Sequence, residues 1–438
     1  MSSVSSLGVA RFRGLVARDA ADPLLRSAYS LTLNVLLTSA LGFGFWIAAA
    51  RLVPASAVGR DSALISAMIT LSLIGQLNLH FALLRFLPIV KIDTGRAVVG
   101  AYTVTAAFTI LIGALFVVVA PSVAHNYRFL RTDAVLTLSF VAAMALWCVF
   151  ALQDAVLTAL RRAPWIPLEN ATFGILKIAA LPPLLALGAS HAVLLAWVIP
   201  MVLLLLPVNY LIFAKVIPSR PARVAEASPV ERFGWPGLRR YFAQEYVAGI
   251  LMQGVATILP VLIVALLGTT QNAYFYIPFT IVTAFDLVFM NVAASLTVEG
   301  ARSESALPAL TLLVVRRFGG VLLLGAALLV VGASLLLLPF GTGYAHAGAP
   351  VLRILACASV FRAVVALYVV GARIDGSTSR ILSFQAAIFV LVLGLAVPLG
   401  QAYGIKGVAG AWLIANALAG AVAAPRVLAT LRRGKALA

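Results

Sequence analysis

Apolar residues run along this chain in blocks of roughly 20, separated by short polar or proline-containing breaks. The blocks start near Ser30, Ser62, Ala97, Ala134, Ala171, Ala192, Tyr246, Ala273, Gly319, Val351, Ile381 and Gly407. A bilayer core takes about 20 apolar residues as helix. The pattern therefore predicts an all-α polytopic membrane protein with about 12 transmembrane helices. The first two blocks form a hairpin, one running from Ser30 to Ala50 and the next from Ser62 to Leu87. Their connection is read as Arg51 to Arg60, at a membrane surface. Other connections on that side, Gly188 to His191 and Gly268 to Asn272, are turns of a few residues. A polymerase or glycosyltransferase would need a larger loop there, so the pattern predicts no enzyme.

The longest polar stretch, Lys215 to Arg240, holds Pro218, Pro221, Pro229 and Pro236. Proline and charge together mark a linker. The chain is thus divided into a basic amphipathic lead-in (1–29), six spans (30–214), a linker (215–241), six more spans (242–424) and a basic tail (425–438). A disordered basic segment is the alternative for the lead-in. The halves look alike at an offset of 215: Pro183 meets Pro398 and Trp197 meets Trp412. With 6 Trp and 21 Pro in the chain, these matches carry more weight than Ala or Leu identities. Two halves with even numbers of spans are parallel repeats, related by an axis along the membrane normal.

Composition agrees: 63% of the 438 residues are hydrophobic and 11% charged, against about 25% charged in soluble domains. The net charge of +18 reads as topology rather than nucleic-acid binding. Twenty-three of the Lys and Arg fall in segments on the side of the termini, and five on the other: Arg51, Arg60, Arg128, Arg131 and Lys406. The positive-inside rule then puts both termini in the cytoplasm, in a multi-pass protein of a bacterial inner membrane. A cysteine at Ser228 is expected to stay unreactive to an impermeant thiol reagent in intact cells; strong labelling would reverse the orientation. Cys148 and Cys357 both lie in apolar spans, so no disulfide framework is implied. The N-terminus lacks the apolar core of a secretory leader.

Ionisable groups inside the spans carry the chemistry, because a cation at mid-bilayer costs about 3 kcal/mol and seeks a cavity or a partner. Lys177, Asp286 and Arg362 lie near mid-depth, and Arg353 nearer one end of its span. Arg85, Asp154 and Glu245 lie toward the terminus side, and Glu169 precedes the fifth span. Lys177 and Arg362 are expected to face a cavity. For Arg51, Arg60 and Arg85, snorkelling to the interface is the stronger expectation. An internal Asp286–Arg362 pair is the alternative for Arg362. No Walker-A loop is present, no G-x-S-x-G, and the four histidines have no metal-ligand spacing. No cofactor or metal is expected.

Two segments resemble a known family. The hairpin motif A-R-L-V-P-x-x-x-V-G (Ala50 to Gly59), then F-A-L-L-R-F-L-P (Phe81 to Pro88), is similar to the oligosaccharide flippases. So is Y-G-I-x-G-V-A-x-A-W (Tyr403 to Trp412), where Gly404, Gly407 and Gly410 read as packing. These flippases belong to the multidrug/oligosaccharidyl-lipid/polysaccharide (MOP) superfamily. The resemblance implies a MATE-like fold, two six-helix bundles around a V-shaped cleft. It also implies flipping of a polyprenyl-(di)phosphate glycan by alternating access. Lys177, Arg362, Arg353, Arg85 and Arg51 would then contact the phosphate, with Asp286, Asp154 and Glu245 in coupling or charge pairs. Glycan polymerase and export proteins would be partners, besides membrane lipid; nucleic acid is not. A cation-coupled multidrug exporter and a non-transporting scaffold remain alternatives.

Overall fold

The computed structural model describes residues 23–87, 94–218, 229–302, 305 and 307–437, and all regular structure among them is helical. The N-terminal half contains α1 (Pro23–Leu52), α2 (Ala55–Gly75), α3 (Leu79–Phe86), α4 (Thr94–Val123), α5 (Ala134–Ala159), α6 (Ile166–Ala186) and α7 (Ala192–Leu211). The C-terminal half contains α8 (Pro229–Leu267), α9 (Thr269–Arg302), α10 (Leu307–Val331), α11 (Thr342–Ile374) and α12 (Thr378–Leu437). Only structures that bond their own backbone are stable in lipid, so helices of this apolarity are the one open-ended solution. Counting α2 with α3 as one span, and α12 as two, gives six spans in each half. The described residues thus form an all-helical bundle of twelve spans, six in each half, as the hydropathy pattern predicts.

Several boundaries differ from the sequence reading. The second span is broken: α2 stops at Gly75, and Leu77 and Asn78 take φ 48 and φ 62 before α3 resumes. Asparagine tolerates this left-handed conformation, and leucine pays strain for it. The first connection is shorter than Arg51 to Arg60, because only Val53 and Pro54 separate α1 from α2. The expected linker is also shorter. Proline is at ease in the first position of a helix, and α8 starts at Pro229; its 39 residues extend about 58 Å and reach well past the bilayer core. Similarly α10 starts at Leu307, with Arg316 and Arg317 already on it. The basic tail continues α12, since Ala, Leu, Arg and Lys are all strong helix formers. Residues 1–22 of the lead-in and 219–228 of the linker, Ser228 included, lie outside the described residues.

Within α12 the break falls at Gly404, whose φ of 61 and ψ of −144 no L-residue adopts readily. Three residues on, a side chain at Gly407 would run into the Leu399 carbonyl. This agrees with the packing role read from the glycine run, although Gly410 faces open space. Pro183 sits on α6 and Pro398 on the first helix of α12, each the fifth span of its half. Trp197 on α7 and Trp412 on the second helix of α12 are likewise each in the sixth.

The two halves meet along α2, which packs on α4, α5 and α7 in its own half and on α8 and α9 in the other. It is the most buried of the long apolar helices. Its polar residues Ser62, Ser66, Thr70 and Ser72 are small and buried, so they let neighbouring backbones approach closely. By contrast α1 packs mainly on α6, and α9 mainly on α11 and α2. The faces of α1 and α9 that look toward each other bound a cavity.

Candidate functional site

That cavity has a volume of about 390 Å³ and lies between α1, α5, α6, α7 and α9. Trp46, Trp147, Trp197, Phe173 and Tyr276 give it an aromatic wall, while Thr38, Ser39, Asn170, Thr280 and Thr283 supply polar groups. Lys177 is the one charged residue among those lining it. On α6 the residues Asn170, Phe173, Gly174 and Lys177 follow the i, i+3, i+4, i+7 spacing that places them on one face. Gly174 has to be small, since a Cβ there would lie 2.7 Å from Leu41 on α1. This close approach brings the Lys177 stripe to the α1 side of the cavity.

The Lys177 side chain is 6% exposed. Its Nζ lies 4.4 Å from the Trp197 ring centroid, 5.0 Å from Phe45 and 5.2 Å from Phe173. No carboxylate among the described residues pairs with it. Three ring faces attract a cation, each by about 0.5–2 kcal/mol depending on desolvation. They leave the charge itself unneutralised. The arrangement therefore presents a positive group, held in place and without a counter-ion, to whatever occupies the cavity.

The other mid-depth cation is placed differently. Arg362 on α11 donates from Nη1 to Asp286 Oδ2 on α9, and its guanidinium lies 5.0 Å from the Trp412 ring centroid. Asp286 is buried, with its side chain 3% exposed, and neither residue lines the cavity. This is the ion pair that the sequence left open as the alternative for Arg362. Breaking a buried pair strands a charge at about 3–5 kcal/mol, whereas replacing both partners costs far less. Asp286→Asn or Arg362→Gln alone is thus expected to lower folded yield in detergent strongly. The double variant should recover most of it. If the double variant is as poor as the worse single one, the pair is not the reason.

The remaining candidates do not gather at the cavity. Arg51, at the end of α1, donates from Nε to the Pro339 carbonyl and from Nη2 to that of Leu338, both at 2.7 Å. It does not line the cavity, and its two bonds tie the halves together. Arg353 donates to the Val330 carbonyl at 3.2 Å from an exposed position on α11. Asp154 on α5 accepts from Asn170 Nδ2 at 3.4 Å, one residue behind the cavity wall. Arg85 and Glu245 lie on α3 and α8, and their side chains are outside the described residues. Glu169, next to Asn170, is 6% exposed with both carboxylate oxygens unbonded. Among the described residues no three metal-ligating side chains come together.

Sequence reasoning missed two features. One is the aromatic cage: Phe173 is findable four residues before Lys177 on one helix, but Phe45 and Trp197 reach it only through folding. The other is Asp61, 1% exposed on α2. It accepts from the Leu194 backbone N–H at 3.2 Å, lies 3.1 Å from His191 Nδ1, and takes a hydrogen bond from Arg60 Nε at 3.2 Å. Asp61 therefore caps the start of α7 from a different helix, which stitches the hairpin to the third pair of spans at the end opposite the termini.

Comparison with solved structures agrees with this architecture. An inward-facing MATE multidrug transporter of the MOP superfamily aligns with a TM-score of 0.66 at 16% identity, over 93% of this chain and 99% of that one. An outward-facing MATE transporter of the same superfamily aligns at 0.56 and 14% identity, over 94% and 98%. The lipid II flippase MurJ, in an inward closed conformation, aligns at 0.60 and 12% identity, over 91% and 86%. No protein-family model and no curated protein sequence matches the chain. The chain thus has the fold of the MOP-superfamily transporters over nearly its whole length.

Proposed function

We propose that this chain is a transporter of the inner membrane that flips a polyprenyl-(di)phosphate glycan between leaflets by alternating access, in polysaccharide biosynthesis. The observation that carries this reading is the unpaired Lys177 ammonium in an aromatic-walled cavity between the halves. A phosphate supplies the missing counter-ion, and a charge-assisted contact of this kind contributes about 1.5–3 kcal/mol. Indole and phenyl faces suit the apolar faces of sugar rings, and Asn170, Thr280 and Thr283 meet hydroxyls that would otherwise be desolvated without partners. Because α1 and α9 face each other across the cavity, a polyprenyl tail can stay in the bilayer while the head group occupies it.

Most of the side-chain hydrogen bonds between the halves lie at the end opposite the termini, which supports loading of the cavity from the terminus side. With both termini cytoplasmic, that is the side on which lipid-linked sugars are assembled. Glycan polymerase and export proteins are the partners this role calls for. The cation-coupled drug exporter reading is supported by one feature, the unbonded Glu169 carboxylate behind Asn170. It is weakened by the cavity lining, in which the only charge is positive.

The test is translocation of a fluorescent polyprenyl-diphosphate saccharide in proteoliposomes, read by protection from a membrane-impermeant quencher. Protein-dependent protection that a cationic drug does not compete supports the flippase. Transport of the drug with no movement of the glycolipid would establish the exporter. Neither activity, with a polysaccharide defect still seen in cells lacking the chain, would leave the scaffold.

A further inference from the structure

A second cavity of about 390 Å³ lies in the C-terminal half, and shares no lining residue with the first. Its walls are Tyr368 on α11 and Ser379, Arg380, Ser383, Phe384 and Arg426 on the two helices of α12. Two guanidinium groups, two aliphatic hydroxyls and a phenol thus converge on one space. Arg426 Nη1 donates to Tyr368 Oη at 2.9 Å, and its guanidinium stands 5.6 Å from that ring. Tyr368 in turn packs on Phe384 at 4.7 Å between centroids. These contacts fix Arg426 while leaving most of its donors free, and no carboxylate among the described residues pairs with it. Arg380 reaches Asp375 only at 3.4 Å, with both side chains about half exposed, a pairing that is weak in water.

The depth of the cavity names its occupant. Arg426 is 21 residues beyond Ile405, where the second helix of α12 starts after the Gly404 break. At 1.5 Å per residue this is about 32 Å, one apolar core thickness. Ser379 and Ser383 are at the start of α12 and so at the same end. The cavity therefore opens at the level of lipid phosphates, in the leaflet on the side of the termini. Basic pockets between transmembrane helices at this depth hold anionic head groups, and arginine matches phosphate oxygens two at a time.

We propose that this cavity binds the phosphate of an anionic phospholipid head group, with Arg380 and Arg426 as the cationic contacts and Ser379, Ser383 and Tyr368 as hydroxyl donors. The site is independent of what the first cavity carries. Its place between α11 and both helices of α12 lets a bound lipid bridge these three elements of the C-terminal half beside the Tyr368–Phe384 contact.

The experiment is native mass spectrometry of the full chain in nonionic detergent, titrated with phosphatidylglycerol. Thermal unfolding with phosphatidylglycerol or with inorganic phosphate is the second readout. Saturable binding of one lipid is expected, with an upward shift in unfolding temperature. Each surface cation adds about fivefold to affinity for anionic lipid. Arg426→Gln should therefore weaken binding about fivefold, and the double variant with Arg380→Gln about thirtyfold. Arg426→Lys should fall between, because charge remains without the fork. Should the double variant fail to fold, Arg426→Lys combined with Ser383→Ala carries the same comparison. Arg373→Gln, at the end of α11 on the same side, should change nothing. Equal loss in Arg373→Gln would overturn the site in favour of diffuse surface charge. Stabilisation by inorganic phosphate equal to that by phosphatidylglycerol would overturn the lipid as its ligand.

Discussion

Lys177→Gln is expected to abolish glycolipid translocation while the protein still inserts and folds. The substitution keeps most of the side-chain volume and removes a charge that no carboxylate among the described residues neutralises. Stability should change little, since the cost of about 3 kcal/mol for inserting an unpaired cation and the gain from its three ring contacts are of similar size. What is lost is the attraction for the head group. A charge-assisted contact of about 1.5–3 kcal/mol corresponds to a tenfold to hundredfold drop in affinity. The loss in rate is larger wherever the bound phosphate also drives the change between states, because a ligand shifts an equilibrium only through its differential affinity. Lys177→Arg should retain partial activity: the charge survives, but a planar guanidinium fits three converging ring faces less well than a compact ammonium. Lys177→Glu should be inactive. The measurement is initial translocation rate per folded protein, with folded fraction taken from size-exclusion chromatography. A wild-type rate for Lys177→Gln would remove the phosphate contact from the mechanism. Loss of folded protein instead would make Lys177 structural.

The span count and the division into halves were legible because hydropathy at a 20-residue scale is set by the bilayer, not by packing. The Pro183/Pro398 and Trp197/Trp412 matches were legible for another reason: rare residues at a fixed offset survive the noise of an Ala- and Leu-rich chain. Boundaries were less so. Arg316 and Arg317 fall before the block read as starting near Gly319, yet a helix runs through them, since long basic side chains reach water from a helix near an interface. The α2–α3 break was written in Gly75-Gln76-Leu77-Asn78, but helix-breaking is a matter of energy in context. A leucine at φ 48 is not a residue that any local pattern would place there.

Depth within a span singled out Lys177 and Arg362 together, and the fold separates them. Both are arginine or lysine near mid-membrane, both stand against a tryptophan of a sixth span. The difference is one carboxylate: Asp286 on α9 pairs with Arg362 on α11, while among the described residues no carboxylate pairs with Lys177. Partner choice of this kind depends on which helices are neighbours, and twelve spans allow many arrangements. The same reasoning applies to Arg51, whose two acceptors are nearly 290 residues away in the chain and so could not be named from its place at the end of α1.

Cross-linking the halves at the end opposite the termini is expected to stop translocation completely and reversibly. Among the described residues, four side chains there bond across the halves. Besides Arg51, Asn126 Nδ2 donates to the Val264 carbonyl at 2.9 Å, and the Tyr127 hydroxyl to that of Val261 at 3.0 Å. From the other half, Asn272 Nδ2 donates to the Gly59 carbonyl at 2.8 Å and to Ser62 Oγ at 3.0 Å. Nearby, a Cβ at Gly59 would fall 1.7 Å from the Thr269 carbonyl, so α2 and α9 touch backbone to backbone. The seam extends along α2, where Tyr246 donates to the Ile74 carbonyl at 2.6 Å near the opposite end. At about 0.5–1.5 kcal/mol per bond, the four side chains together favour this state by a few kcal/mol. That is enough to set its population, yet small enough for a ligand to reverse. In a chain with Cys148 and Cys357 replaced by alanine, Ser62→Cys with Asn272→Cys places two thiols where a hydrogen bond now spans 3.0 Å. Mild oxidation should join them as a disulfide in this state, and reduction of that disulfide should restore transport. Asn272→Ala alone should act in the opposite sense: it loosens the contact and raises by about tenfold the share of molecules with this end open, read as accessibility of a cysteine at Ser62 to an impermeant reagent. Full translocation by the cross-linked protein would mean that these contacts stay closed throughout the cycle, and the cavity would then have to load and empty through the gap between α1 and α9 alone.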